Sequence, residues 1–279
     1  MSLTAGTAPF SPRPAGEFNF ERPRTKGVIY FETSPRRVRA VFGGETVVDS
    51  RDAKLLHETG HLPIYYFPQA DVHEDLLEPS DHSTRCPFKG QAAYWSIHAG
   101  GRVAENAVWG YDDPLADVSA LAGHRALYWG RVDEWWEEDE RAHVHPRDPY
   151  HRVDVLDTSR HVRVSLDGET LADTRGARVL FETGLPPRWY IPREDVAVDL
   201  APSDTRTECP YKGMASYSSV RVGDREERDL AWCYEQPLRE VEPIVGRLAF
   251  FDEWVDLEID GEPQDRPHTP WSHGKAAAD

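Results

Sequence analysis

The sequence predicts a mostly β protein made of two copies of one small antiparallel domain. Each copy reads as a barrel or folded-over sheet with one short helix. Three observations carry this. The 279-residue chain repeats itself at long range. Short runs of alternating apolar and polar residues recur between turns rich in glycine and proline. Only one helix signal stands out per copy, so the long alternating helices of a doubly wound fold are missing.

The repeat keeps register over more than a hundred residues. Gly44-Glu45-Thr46 recurs as Gly168-Glu169-Thr170, 124 positions on, and Glu58-Thr59-Gly60 recurs as Glu182-Thr183-Gly184. Tyr66 and Pro68 return as Tyr190 and Pro192. One residue is lost near Leu77, and the shift becomes 123. Cys86-Pro87-Phe88-Lys89-Gly90 then returns as Cys209-Pro210-Tyr211-Lys212-Gly213, and Tyr94, Trp109 and Tyr111 return as Tyr217, Trp232 and Tyr234. Solenoid units run about 20–50 residues, so a period this long is a tandem domain duplication. The expected division is a loose N-terminal segment (1–26), a first domain (27–138), a polar linker (139–150), a second domain (151–262) and a loose tail (263–279).

The elements follow in order. Arg37 to Phe42 and Val162 to Leu166 alternate as half-buried strands. Gly43-Gly44 and Asp167-Gly168 turn them back, the second being a favoured type I′ pair. Val47-Val48 and Leu171-Ala172 begin the return strands. Ile64 to Phe67, closed by Pro68, is an aromatic strand. Ala92 to Ile97 runs into the turn at Gly100-Gly101. Pro114 opens the helix signal, which Gly123 closes, and Pro237 to Gly246 repeats it. Ala126 to Trp129 and Val132 to Trp136 read as further strands.

Composition excludes several functions. Forty-nine acidic against 32 basic side chains leave a net charge of −17. Nucleic acid and anionic membrane surfaces both call for basic faces, so neither is an expected partner. No apolar run approaches the roughly 20 residues that span a bilayer. Met1 to Phe20 lacks the basic-then-apolar order of a signal peptide. Three cysteines, none in a Cys-x-x-Cys pair, point to a reducing cytoplasm and away from a disulfide framework or structural zinc. Neither a metal site nor a cofactor is expected.

The chemistry concentrates in the repeated Cys-Pro-aromatic-Lys-Gly-x-Ala-x-Tyr. It places a thiol, an ammonium, a turn glycine and a phenol within nine positions. A strand beginning at Gly90 puts Ala92 and Tyr94 on one face, with Lys89 at its mouth. A lysine beside aromatic walls either has its charged form disfavoured or finds a carboxylate, and Glu58 and Glu182 are the candidates. Lys89, Glu58, Cys86, Lys212, Glu182 and Cys209 are therefore the candidate catalytic residues. Tyr66, Tyr94, Trp109, Tyr111, Tyr190, Tyr217, Trp232 and Tyr234 are the candidate ligand-binding residues. A plainer reading stands beside this: turn chemistry and an ordinary ion pair. The run Glu137 to Glu140 reads as a solvated face. No phosphate-binding loop or nucleophile elbow occurs.

Taken together, Gly43 to Ser50, Glu58 to Pro68, Asp75 to Asp81, Cys86 to Tyr94 and Ala107 to Leu115 resemble the domain of unknown function 427 family. The resemblance spans nearly all of both copies. It implies a small, mostly β domain similar to a β-tent or small barrel. Some classifications label the family nucleotidyltransferase-like. Its characteristic polar residues fall on Glu58, Cys86, Lys89, Tyr94 and Tyr111, and on their second-copy counterparts. The copies differ from each other at Phe88/Tyr211, Trp95/Ser218, Gly110/Cys233 and His82/Thr205.

The leading expectation is two repeated small-molecule pockets, with turnover and oligomeric state left open. The ligand would be partly aromatic or carry a carboxylate or phosphate drawn in by Lys89 or Lys212. A non-enzymatic interaction module is the alternative, presenting an aromatic patch around Trp95, Trp129 and Trp136. Nucleotidyl transfer is a third reading.

Overall fold

The computed structural model describes residues 3–4, 8–11, 14–20 and 27–274. The chain divides into two units, Met1–Asp148 and Pro149–Asp279. The expectations of loose ends at 1–26 and 263–279 fall partly outside the described residues. Within the second, Glu262–Gln264 is a strand and Pro270–His273 a short helical turn.

In the first unit a seven-stranded antiparallel sheet runs in the spatial order Ile29–Thr33, Lys54–Glu58, Ile64–Pro68, His124–Leu127, Arg102–Gly110, Gly90–Ala99, Leu77–Cys86. A four-stranded sheet orders Glu140–Ala142, Glu134–Glu137, Val38–Phe42 and Glu45–Ser50. Neither closes into a barrel, and the folded-over form of the expectation is the one adopted. The period of two explains the layering. Leu55, Tyr65, Phe67 and Val108 face the small sheet, where they meet Val38, Ala40 and Val48 in one core. Their neighbours Leu56, Tyr66 and Trp109 face the other way and meet Tyr94, Tyr111 and Leu121. The large sheet is thus buried on both faces, and its second face carries the candidate site.

The second unit repeats this plan. Val153–Asp157, Arg178–Glu182 and Arg188–Tyr190 form one sheet, and Leu200–Cys209, Gly213–Val222, Arg225–Tyr234 and Leu248–Phe250 another. A single bridge between Ile191 and Leu248 stands where the first unit has a continuous ladder. The small sheet is again four-stranded, Glu169–Thr174, Val162–Leu166, Asp256–Ile259 and Glu262–Gln264.

The predicted helices are short 3₁₀ segments, Ala116–Leu121 and Arg239–Ile244. Val118 and Val241 leave helical geometry in the middle of each, which breaks them into single turns. Their function is to cover the second face with Leu121, or with Val241 and Ile244.

The turn at Gly43-Gly44 has φ of 60° and 83°, and Asp167-Gly168 has 51° and 84°, as a type I′ hairpin requires. Gly43 also carries a packing constraint. A Cβ there would lie 2.4 Å from the Ala99 carbonyl oxygen, while one at Gly44 would meet nothing within 4 Å. Gly43→Ala is therefore expected to destabilise the first unit by more than about 1 kcal/mol in denaturant unfolding, and by more than Gly44→Ala does. Equal losses would show that the two facing turns part without cost.

The acidic run at Glu137 is not simply a solvated face. Glu137 accepts a 2.9 Å hydrogen bond from the Tyr65 hydroxyl and pairs with Arg36. Its backbone belongs to the strand on Val38–Phe42, which turns the carboxylate inward.

Candidate functional site

Lys89 and Glu58 are brought together by two turns. Glu58 ends its strand, and the chain reverses through Gly60 at φ 81°. Lys89 precedes Gly90, whose φ of 108° suits glycine. The Lys89 carbonyl accepts from Leu115 N at 3.1 Å, which fixes the turn. The Lys89 ammonium donates to a Glu58 carboxylate oxygen in a buried ion pair. Gly90, Ala92 and Tyr94 are buried on one face of the strand, as its register predicts.

A cavity of about 600 Å³ opens over this pair. Tyr66, Tyr94, Trp109, Tyr111 and Cys86 line it together with Lys89 and Glu58. All the first-copy candidates thus meet at one place. The Tyr66 and Trp109 rings meet edge to face at 6.2 Å, and Trp109 lies 4.4 Å from Tyr128. Tyr94 and Thr84 share a 2.8 Å hydroxyl hydrogen bond. Burial pushes the Tyr66 and Tyr111 phenols well above their usual range and Tyr128 up to about 12. These phenols stay protonated near neutrality and serve as hydrogen-bonding groups. Leu62, Phe88, Tyr128 and Val144 also line the cavity, and all four are exposed.

The second copy gathers the matching residues but closes them over. Lys212 pairs with Glu182 as Lys89 does with Glu58. His151 Nε2 adds a 3.0 Å contact to Glu182, and its ring stacks on Tyr211 at 3.9 Å. His151 occupies the position of Gly27, a pocket-lining residue of the first copy. Tyr211 and Phe251 are buried where Phe88 and Tyr128 are exposed. Burial opposes the charge on Glu182, but Lys212 and His151 outweigh it and hold the carboxyl down to about 2. Burial likewise opposes Lys212's charge, and Glu182 outweighs it and raises the ammonium above its usual value. Neither group is poised to exchange a proton near neutrality, where acid–base catalysis needs it. Tyr190, Tyr217, Trp232 and Tyr234 form the aromatic cluster beside this pair, and Trp232 Nε1 donates to Tyr190 OH at 3.2 Å.

Several residues of this region carried no signal in the pattern. Arg188 stands where the first copy has Ile64. It forks onto Glu253 at 2.9 and 2.5 Å and reaches Asp252 at 3.2 Å, with all three side chains buried. Its guanidinium carbon lies 5.6 Å from the Trp232 ring centre and 5.8 Å from that of Trp271. Thr269 Oγ1 donates to Glu253 at 2.5 Å, and Trp254 Nε1 donates to the Trp271 carbonyl at 3.1 Å. Trp271 packs against the aromatic cluster. Only the unlike pairs Gly27/His151 and Ile64/Arg188, read across the two copies, hint at this.

The remaining differences between the copies have local causes. Arg125 lies over Trp95 at 3.9 Å, and a Cβ at Gly110 would come within 2.6 Å of its Nη1. Leu248, Ser218 and Cys233 take these three positions in the second copy, where the arginine that crowds Gly110 is gone. The indoles of the expected surface patch are half-buried: Trp95 lies beneath Arg125, Trp129 stacks on Trp135 at 4.6 Å, and Trp136 faces Arg39.

Among the described residues, no three His, Cys, Asp or Glu side chains gather as a metal site, and no helix is long and apolar enough to cross a membrane. No curated protein matches the chain. Residues 30–138 and 154–261 each match one family, described as a Domain of unknown function (DUF427). Those two stretches cover well over half of the chain and fall one in each copy, so this protein belongs to the DUF427 family as a tandem duplication of its domain.

Proposed function

We propose that the first unit binds a small molecule and that the second is its closed counterpart. One observation carries the reading: an aromatic-walled cavity of about 600 Å³ with a buried ion pair at its base and four exposed apolar side chains among its lining. That volume falls within the range of about 300–1,000 Å³ typical of ligand sites. The lysine and carboxylate serve as a fixed dipole that orients a ligand. The three free cysteines fit a reducing cytosol.

The two other readings have less behind them. An interaction module through Trp95, Trp129 and Trp136 needs exposed rings, and these are half-buried. Nucleotidyl transfer needs clustered carboxylates for a divalent ion, and among the described residues no three His, Cys, Asp or Glu side chains gather as a metal site.

A ligand-observed NMR fragment screen tests the proposal, comparing wild type with Phe88→Asp. Phe88 is exposed, so the substitution leaves the core intact while placing a charge at the cavity. Fragments that bind wild type are expected to lose about tenfold or more in affinity, since an apolar contact is replaced by a charge that needs water. Unchanged affinities across all hits, or no hits at all, would overturn the pocket reading.

A further inference from the structure

The second copy packs an aromatic ring on the cluster whose first-copy counterpart lines a cavity. Tyr190, Tyr217, Trp232 and Tyr234 correspond position by position to Tyr66, Tyr94, Trp109 and Tyr111. Against the cluster that contains the former packs the indole of Trp271, carried on the segment that Thr269 and Trp254 tie down. In the first copy the corresponding wall borders the cavity. The polar base of that cavity is a salt-bridged lysine and glutamate of opposite charge. A ligand bearing a net charge would meet a pair already neutralised and would itself lose hydration. A ligand with a donor and an acceptor side by side finds both partners, one on the carboxylate and one on the ammonium.

From this we infer that the first-copy pocket takes an uncharged, indole-sized aromatic molecule bearing an amide-like donor–acceptor group. The inference rests on the binding role proposed above and names the ligand class. It replaces the expectation of an anion drawn in by Lys89, because the Lys89 ammonium is already paired with Glu58. The apolar part of the ligand lies among the cavity's aromatic lining, where Phe88 and Tyr128 are exposed, and its polar group faces Lys89 and Glu58.

Isothermal titration of the full chain with three probes separates the possibilities: indole-3-carboxamide, indole-3-carboxylate and tryptamine. The uncharged amide is expected to bind about tenfold or more tighter than either charged analogue, because each of those leaves a charge unpaired in the pocket. The preference is expected to vanish in Lys89→Met/Glu58→Leu, which removes the dipole and leaves the aromatic wall. If that variant fails to fold, the three wild-type affinities decide alone. A carboxylate or amine that binds as tightly as the amide overturns the ligand class while leaving the pocket standing. No binding of any of the three, with fragment hits that Phe88→Asp weakens, overturns the indole class alone. No binding and no such hits overturns both readings.

Discussion

Lys89→Met is expected to destabilise the first unit by about 3–5 kcal/mol, because it leaves the Glu58 carboxylate buried without its partner. Both side chains are about nine-tenths covered, so water cannot replace the lost ammonium. The second substitution gives the experiment its force. Removing both charges, as in Lys89→Met/Glu58→Leu, is expected to recover most of the loss, since a buried ion pair roughly breaks even against apolar residues of similar volume. A double-mutant cycle by denaturant unfolding measures the coupling. A single-variant loss under about 1 kcal/mol would show that the pair is effectively solvated. A double variant that is stable but has lost the amide preference would separate the pair's contribution to the fold from its contribution to binding.

Arg188→Met is expected to cost the second unit a similar amount at neutral pH, and the cost should depend on pH. Arg188 is shared between two buried carboxylates, Asp252 and Glu253. Burial pushes Asp252 up to about 7 even with the arginine present, since the guanidinium fork engages Glu253 and gives Asp252 one longer contact. The folded protein therefore keeps a proton that the unfolded chain releases near its ordinary value of 3.8. Stability from this group is fully present at low pH and falls as pH rises from about 4 through about 7. Asp252→Asn is expected to flatten that slope. In Arg188→Met both carboxylates lose their counter-charge, so the destabilisation should be greater at pH 8 than at pH 5, where protonation relieves it. Unfolding of the full chain followed by tryptophan fluorescence at both pH values checks this. A loss of equal size at pH 5 and pH 8 would mean that the arginine contributes by packing and not by charge.

The legible part of the fold came from local rules. The period of two in Val38–Phe42 and Gly90–Ala99 follows from the pleat, and the glycine turns follow from the need for positive φ. The Lys-Gly pair was legible for the same reason: Gly90 and Gly213 both adopt positive φ directly after the lysine. Pairing Glu58 with Lys89 was within reach because both recur in register, and two copies impose the same constraint twice. The 3₁₀ form of Ala116–Leu121 was not legible, because the break at Val118 is set by packing over the sheet. Glu137 looked solvated because an acidic run gives no hint that one of its members faces Tyr65. His151, Arg188 and Trp271 were invisible for a related reason. Each acts on a partner 17 to 83 positions distant, and none has a repeat to mark it.

By itself the sequence determined that one domain is written twice, that it is built of short antiparallel strands, and that a lysine and a glutamate recur at fixed places in each copy. Backbone periodicity and turn geometry are local, so they leave local traces, and duplication makes those traces doubly visible. The tertiary structure alone decided that the lysine–glutamate pair is buried, that the aromatic residues of the first copy line a cavity, and that Tyr211 and Phe251 are buried where Phe88 and Tyr128 are exposed. These outcomes depend on what fills the space beside the pair. Gly27 leaves that space open and His151 fills it; Ile64 lines the cavity and Arg188 anchors a buried charge network next to Trp271. Such compensations join residues far apart in the chain, and only folding brings them within contact.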